Sequence, residues 1–170
     1  MIRILSILIS MISPCCMAQS DWMDIDLHQI PQKKVRALIA DLQKEQIAGA
    51  YGLESTWKPG QELDGYRELE SNYFIQSNMK QVWDSYTSTS PAKSWDGKKV
   101  SFGLLISKYK HSILYRNDDQ YTGVDTGQVI YLNLKIFSGL YNLAVGFEVI
   151  DVDPVNRSIS FSYIKGGKSS

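Results

Sequence analysis

A period-two alternation of apolar side chains recurs three times between residues 128 and 163. Successive side chains of a strand point to opposite faces of a sheet, so the alternation predicts three neighbouring antiparallel strands that each present an apolar face. A Ser-Gly break at 138–139 and an Asp-Pro-Val-Asn turn at 153–156 separate them. The residues on the apolar faces are Ile130, Leu132, Leu134 and Ile136, then Leu143, Val145, Phe147 and Val149, then Ile159, Phe161 and Tyr163.

Further strands and a helix are expected before this sheet. Residues 67–76, 100–108 and 111–116 predict strands. Ser77 is a suitable N-cap for a helix over 78–86, and residues 85–99 predict a loop or a broken second helix. The apolar positions of the 78–86 helix, which we expect to be buried, are Met79, Val82, Trp83 and Tyr86.

An amphipathic helix is predicted over 31–46, because Pro31 is tolerated at a helix start and apolar side chains recur at helical spacing. Its stripe has no aromatic residue and its polar sides carry Asp41 and Glu45, which favours packing on a core over lying on a membrane. The glycine-rich residues 49–65 predict a connector with Trp57 as its large anchor. The stripe consists of Val35, Leu38, Ile39, Leu42 and Ile47.

The first residues read as a secretory signal peptide, residues 1–18. Arg3 precedes an apolar run, and a small-residue site ends at Ala18; the run is about half the length of a membrane-spanning helix. We therefore expect an exported protein, periplasmic or secreted, with no transmembrane segment in its mature form. The alternative is a lipoprotein acylated at Cys15 or Cys16, which fits less well because the residue before either cysteine is not small in the usual way.

Composition narrows the classes of partner. The chain carries 18 Lys+Arg and 18 Asp+Glu, so it lacks the basic excess that drives nucleic-acid binding, and we expect no nucleic-acid partner. Cleavage after residue 18 removes both cysteines, so stability must come from the core without disulfides. The predicted organisation is a signal peptide (1–18), an N-terminal helix and connector (19–66) and an antiparallel β domain (67–170).

No set of residues carries a catalytic or metal-binding signature. His28 and His111 are far apart in sequence, and no Gly-x-Ser-x-Gly elbow is present, so we expect no metal and no cofactor and leave catalytic residues unassigned. Asp151 and Asp153 share one side of a strand, a spacing suited to Ca²⁺ or acid–base chemistry, but an Asp before proline in a turn explains them more simply.

Two stretches resemble START-like, polyketide-cyclase-like helix-grip domains (the SRPBCC superfamily), in an uncharacterised bacterial branch. They are Phe-Ile-Gln-Ser-Asn-Met-Lys-Gln-Val-Trp-Asp at 74–84, and Val-Gly-Phe-Glu-Val-Ile-Asp-Val-Asp at 145–153 followed by Ser-Phe-Ser-Tyr at 160–163. The resemblance implies an α+β fold: a curved antiparallel sheet with packed helices around an apolar cavity. The long C-terminal helix of that superfamily has no counterpart before Ser170. Either the chain is truncated, or the 31–46 helix covers the sheet in its place.

Under this resemblance the strand faces form the wall of a ligand cavity, with Tyr163 as its polar group. The leading hypothesis is an exported module that binds a small apolar ligand, lipid-like or polyketide-like, between sheet and helix. One alternative is a structural or protein-interaction module without a cavity, and another is a cyclase-like or hydrolase-like enzyme. The predicted ligand-binding residues are Leu132, Leu134, Val145, Phe147, Phe161 and Tyr163.

Overall fold

The computed structural model describes residues 25–47, 53–62, 64–65 and 69–168 and shows an α+β protein with an open five-stranded antiparallel sheet. The predicted signal peptide and the two cysteines lie outside the described residues. The helices are α1 (Lys33–Ile47), α2 (Met79–Ser88) and α3 (Pro91–Ser94). The strands are β1 (Val100–Ser107), β2 (Ser112–Tyr115), β3 (Gln128–Ile136), β4 (Tyr141–Asp153) and β5 (Ser158–Lys168).

The strands lie in the order β2-β1-β3-β4-β5, so β3, β4 and β5 form a meander, and β1 pairs with both β2 and β3. The three alternating segments are therefore neighbours, as predicted. β3 differs in one respect: both of its faces are buried over most of its length, because it lies at the centre of the sheet with apolar material on each side. Continuous burial explains why its intervening residues Val129 and Tyr131 are also apolar.

One face of the sheet is covered by α1. The apolar stripe of this helix packs from Val35 to Leu42 on β1, β3, β4 and β5 together with a short 3₁₀ turn at Leu27–Gln29. The side chain of Ile47, the last predicted member of the stripe, lies outside the described ones. Gly103 lies at a bulge in β1, and a Cβ there would meet Val35 Cγ1 at 2.7 Å. The absence of a side chain therefore allows the helix to approach the strand closely. The buried side chains include Val35, Leu38, Ile39, Leu42, Leu104, Ile106, Val129, Tyr131, Ala144 and Ile164.

The opposite face carries a second apolar cluster, which α3 and the connection from β2 to β3 cover in part. Ala92 and Trp95, within and just after α3, pack on this cluster, as do Tyr121 and Val124. Towards β5 the covering ends and the face becomes open. Its buried members are Phe102, Leu105, Leu114, Ile130, Leu132, Val145 and Val149.

The outer edge of β5 is capped by the segment 53–62. Ser55 forms an isolated antiparallel bridge with Ile164, and the Thr56 amide donates a hydrogen bond to the Tyr163 carbonyl at 2.7 Å. At Tyr163 and Ile164 the segment therefore pairs with backbone that an edge strand otherwise leaves open.

Three predictions upstream of the sheet were wrong. In its described part, residues 69–76, the expected 67–76 strand is irregular backbone that pairs with no strand. The buried stripe expected for α2 is also absent: no residue of this helix is buried, and Met79 and Tyr86 are more than half exposed. The N-cap is Asn78, whose side chain accepts from the Gln81 amide at 2.8 Å, one residue later than predicted.

Candidate functional site

The open part of the second face is a pocket of about 520 Å³. Its floor comes from β3, β4 and β5, and its walls include two tryptophans that lie outside the sheet. The volume falls within the range of small-molecule sites. The lining residues are Thr56, Trp57, Trp95, Leu132, Leu134, Val145, Phe147, Phe161, Ser162 and Tyr163.

Phe147, on the floor, is the centre of an aromatic chain that reaches the wall at Trp95. Its ring centroid lies 5.9 Å from that of Trp95, at an interplanar angle of 68°, and 5.4 Å from that of Phe161, at 85°. Both are edge-to-face arrangements, in which the positive edge of one ring meets the negative face of another. These contacts hold the three rings in fixed mutual positions, so this part of the pocket is formed in advance of any ligand.

Trp57 and Thr56 form the part of the wall that we call the rim. Trp57 is held there by hydrogen bonds from both its backbone and its ring. Its backbone amide donates to Ser162 Oγ at 3.0 Å, and its indole Nε1 donates to the Gln61 carbonyl at 2.8 Å. Thr56 Oγ1 donates to the Tyr163 carbonyl at 2.9 Å. The rim therefore depends on β5 for its position, and the indole face is left for contact with apolar material.

The lining is almost uncharged. Among the described residues that line the pocket, Tyr163 is the single ionisable one, and it is 56% exposed. The other polar side chains, Thr56 and Ser162, already hydrogen-bond to protein groups. The site therefore offers a ligand apolar surface and one phenol hydroxyl, on a side chain that is more than half exposed.

All six residues predicted from the sequence to bind a ligand line this one pocket. The two tryptophans of the walls, Trp57 and Trp95, are not among these six predicted residues. The sequence leaves open whether large aromatic side chains such as these line a pocket or fill the core, because nothing in the spacing of a loop tryptophan indicates which face of a sheet it covers.

The pocket lies on the opposite face of the sheet from α1. The α1 side of the sheet presents Tyr131, Ala144 and Ile164, whereas the pocket is lined by the intervening residues Leu132 and Val145. The cavity was expected between the sheet and a helix; in the described part of the chain it lies between the sheet and the two tryptophans instead.

A polar cluster lies at the edge of the sheet face that α1 covers. Lys108 Nζ lies 2.7 Å from Glu148 Oε1 and donates to the Leu53 carbonyl at 2.7 Å, while Ser55 Oγ donates to Glu148 Oε2. Glu148 is buried. Each charged group has its partners, so the cluster ties segment 53–62 to β4 and to the end of β1.

The other candidate residues are not brought together. Asp153 accepts hydrogen bonds from the Val155 and Asn156 amides at 2.8 and 3.0 Å and from Asn156 Nδ2 at 2.6 Å. The bonds from Asn156, ahead of that from Val155, lower the pKa of this carboxyl. This is the hydrogen bonding of a turn aspartate. Over the described ranges, no three His, Cys, Asp or Glu side chains converge as metal ligands would.

None of the helices that the structure describes combines the length and the apolar character needed to cross a bilayer. The chain was also compared with known protein families, with curated proteins and with solved structures. None of the three comparisons finds a match.

Proposed function

We propose that this protein binds a small apolar ligand in the pocket between β3, β4, β5 and the two tryptophans. The observation that carries the proposal is the preformed aromatic chain Trp95-Phe147-Phe161 in an apolar pocket of about 520 Å³. Apolar side chains left open in a concave site lose contact with water when a ligand covers them, which contributes roughly 25 cal/mol per Å².

The lining favours binding over catalysis. General acid–base chemistry needs a titratable group within hydrogen-bond reach of the reacting atoms, and nucleophilic chemistry needs an activated nucleophile. Tyr163 is the one ionisable side chain among the described lining residues, and it has no carboxylate, histidine or lysine beside it in that lining. The enzyme alternative therefore has the weaker support.

The proposal includes export, because residues 1–18 have the pattern of a signal peptide. An exported carrier meets apolar compounds outside the cytoplasm. The environment there is oxidising, and a mature chain without cysteines has no thiol that could be oxidised. Kinship with helix-grip domains stays a prediction that rests on the two sequence stretches quoted above.

Mass spectrometry of the protein purified from its own host tests both parts of the proposal. We expect the mass of residues 19–170 under denaturing conditions and a larger mass under native conditions, because the ligand leaves when the pocket unfolds. An unchanged native mass after incubation with a host lipid extract would argue against the ligand. A retained N-terminus would argue against cleavage.

A pocket-filling variant locates the binding. Leu134→Trp places an indole over the floor and should abolish the fluorescence gain of the neutral probe N-phenyl-1-naphthylamine. Val155→Trp adds the same side chain to the turn between β4 and β5, where Val155 is 87% exposed and does not line the pocket, and should leave the gain intact. Equal fluorescence in both variants would show that the probe binds elsewhere.

The interaction-module alternative has one observation in its favour. Tyr73, Phe74 and Ile75 form a continuous exposed apolar run before α2, and Phe74 is 93% exposed. Large exposed apolar patches mark interaction sites. Light scattering measures whether molecules of the protein associate with one another. If Phe74→Ser abolishes this association while binding of N-phenyl-1-naphthylamine persists, the exposed run serves interaction and the pocket serves the ligand.

A further inference from the structure

The turn between β3 and β4 exposes four large apolar side chains in a short stretch. Phe137 is 72% exposed and Leu140 83% exposed, and the rings of Phe137 and Tyr141 meet edge to face with centroids 6.3 Å apart. Isolated exposed apolar residues are ordinary, but a contiguous group marks a contact surface. We name this group the turn patch; its members are Ile136, Phe137, Leu140 and Tyr141.

Phe137 holds an unusual backbone conformation. Its φ is +50°, in the left-handed region that a bulky side chain rarely adopts. This conformation costs free energy and persists only where the surrounding structure imposes it. The turn thus keeps an exposed phenylalanine in a strained position, although an Asn or Gly there would relieve the strain.

A basic groove of about 600 Å³ adjoins the turn patch and shares Leu140 and Tyr141 with it. Four cationic side chains line the groove against one carboxylate, that of Asp96, which pairs with Arg116 at 2.5 Å. Within the residues that the structure describes, the other three cations form no ion pair. The cations are Lys33 and Lys34 at the start of α1, Arg116 and Lys135.

We propose that the turn patch and the basic groove form a docking surface for an anionic lipid membrane. Side chains of the turn patch would enter the membrane–water interface, where tyrosine is favoured because its ring is apolar and its hydroxyl polar. The lysines of the groove would face the anionic headgroups, and a polybasic cluster beside apolar anchors is the combination that makes such binding stable.

Two features favour a membrane over another protein surface. A symmetric contact between two copies would place one basic groove against the other, which like charges oppose. A specific protein interface also needs about 800 Å² on each partner with a complementary shape, whereas insertion of a single turn into lipid needs no complementary surface. The proposal does not depend on what the pocket holds.

Co-sedimentation with vesicles tests the proposal, using mature protein prepared from the whole chain. Vesicles of phosphatidylcholine with roughly one third phosphatidylglycerol should bind the protein, and high salt or pure phosphatidylcholine should weaken binding strongly. Lys33→Gln and Lys34→Gln should each lower the partition coefficient about fivefold. Phe137→Asn should lower it at least about tenfold, although Asn suits the left-handed backbone and should preserve the fold.

Matched controls lie elsewhere on the surface. Lys58→Gln removes an exposed lysine on segment 53–62, and Val155→Asn removes an exposed apolar side chain from the turn at the other end of β4; both should bind as the wild type does. The proposal is overturned if the wild type ignores anionic vesicles, or if the control variants lose as much binding as the variants of the docking surface. It is also overturned if Phe137→Asn instead converts a dimer to a monomer without changing vesicle binding.

Discussion

Lys108 Nζ lies 2.7 Å from Glu148 Oε1, so the residue that follows β1 is joined to the middle of β4 by an ion pair largely shielded from water. The same carboxylate accepts a hydrogen bond from Ser55, and the same ammonium donates to the Leu53 carbonyl. Segment 53–62, which carries the rim residue Trp57, is therefore attached to the sheet through this pair as well as through β5.

Removing the charge of Glu148 should destabilise the protein. Glu148→Gln leaves Lys108, with 23% of its side chain exposed, without its counter-charge, so we expect a loss of about 2 kcal/mol, below the value for a fully buried pair. Urea unfolding measures it. Asp84→Asn breaks the exposed pair with Lys80 on α2 and should cost less than about 0.5 kcal/mol. Similar losses in both variants would contradict the role given to burial.

Gly103→Ala should destabilise the packing of α1 on β1. The added Cβ would lie 2.7 Å from Val35 Cγ1 and 3.0 Å from the Tyr131 carbonyl oxygen, so we expect a loss of about 2 kcal/mol in urea unfolding. Gly97→Ala, whose nearest neighbour would be 3.9 Å away, should change stability by less than about 0.5 kcal/mol. In the double variant with Val35→Ala, the two losses should be less than additive, since the clash is removed. Full additivity would exclude the clash as the cause.

Stability should fall at alkaline pH. Burial raises the pKa of Tyr121 to about 12 from its ordinary value of 10.0, and burial also raises the pKa of Tyr131. The folded state thus favours the neutral phenol. Its contribution to stability is complete below the unfolded pKa, near 10, and is lost as the pH rises through about 12. Tyr121→Phe should make the loss between these values shallower, whereas Tyr73→Phe, which removes an exposed phenol, should leave it unchanged. Urea unfolding at stepped pH is the measurement, and identical profiles for wild type and Tyr121→Phe would rule out this contribution.

Asn78→Ala should loosen α2 without loosening the sheet. The variant removes the hydrogen bond from the Gln81 amide, which costs about 1 kcal/mol of local helix stability and raises amide exchange in α2 about fivefold. Amides of β3 should be unaffected, because no residue of α2 is buried. Ser77→Ala is the matched control. The Ser77 hydroxyl bonds to Gln81 Oε1 of the side chain and not to the Gln81 backbone amide, so amide exchange in α2 should change less. A larger rise in exchange in Ser77→Ala than in Asn78→Ala would show that Ser77 is the N-cap.

The strands were predictable where side chains alternate. Residues 128–163 repeat an apolar position every second residue, and burial against a face demands that period, so these three strands and their order followed from the sequence. The choice of six of their residues as a cavity wall came from the resemblance to helix-grip domains. The 67–76 segment shows where this reasoning fails. Tyr73, Phe74 and Ile75 have strand-forming side chains, but a strand also needs a partner strand, and residues 69–76 pair with none.

The walls of the pocket were not predictable for a related reason. Trp57 and Trp95 lie in segments without regular period, and their positions depend on single long-range contacts such as that between the Trp57 amide and Ser162 Oγ. A contact across more than one hundred residues leaves no local pattern in the sequence. The close approach of α1 to β1 depends in the same way on a long-range contact, since Gly103 leaves the space that Val35 fills.

The bridge between Ser55 and Ile164 also sets the order in which the molecule can be assembled. During synthesis residue 55 leaves the ribosome long before residue 164, so the rim and the floor of the pocket cannot meet until β5 has been made. Until then the nascent chain has no closed pocket, and segment 53–62 has no strand to pair with. The pocket can therefore close only near the end of synthesis, once both of these segments are present.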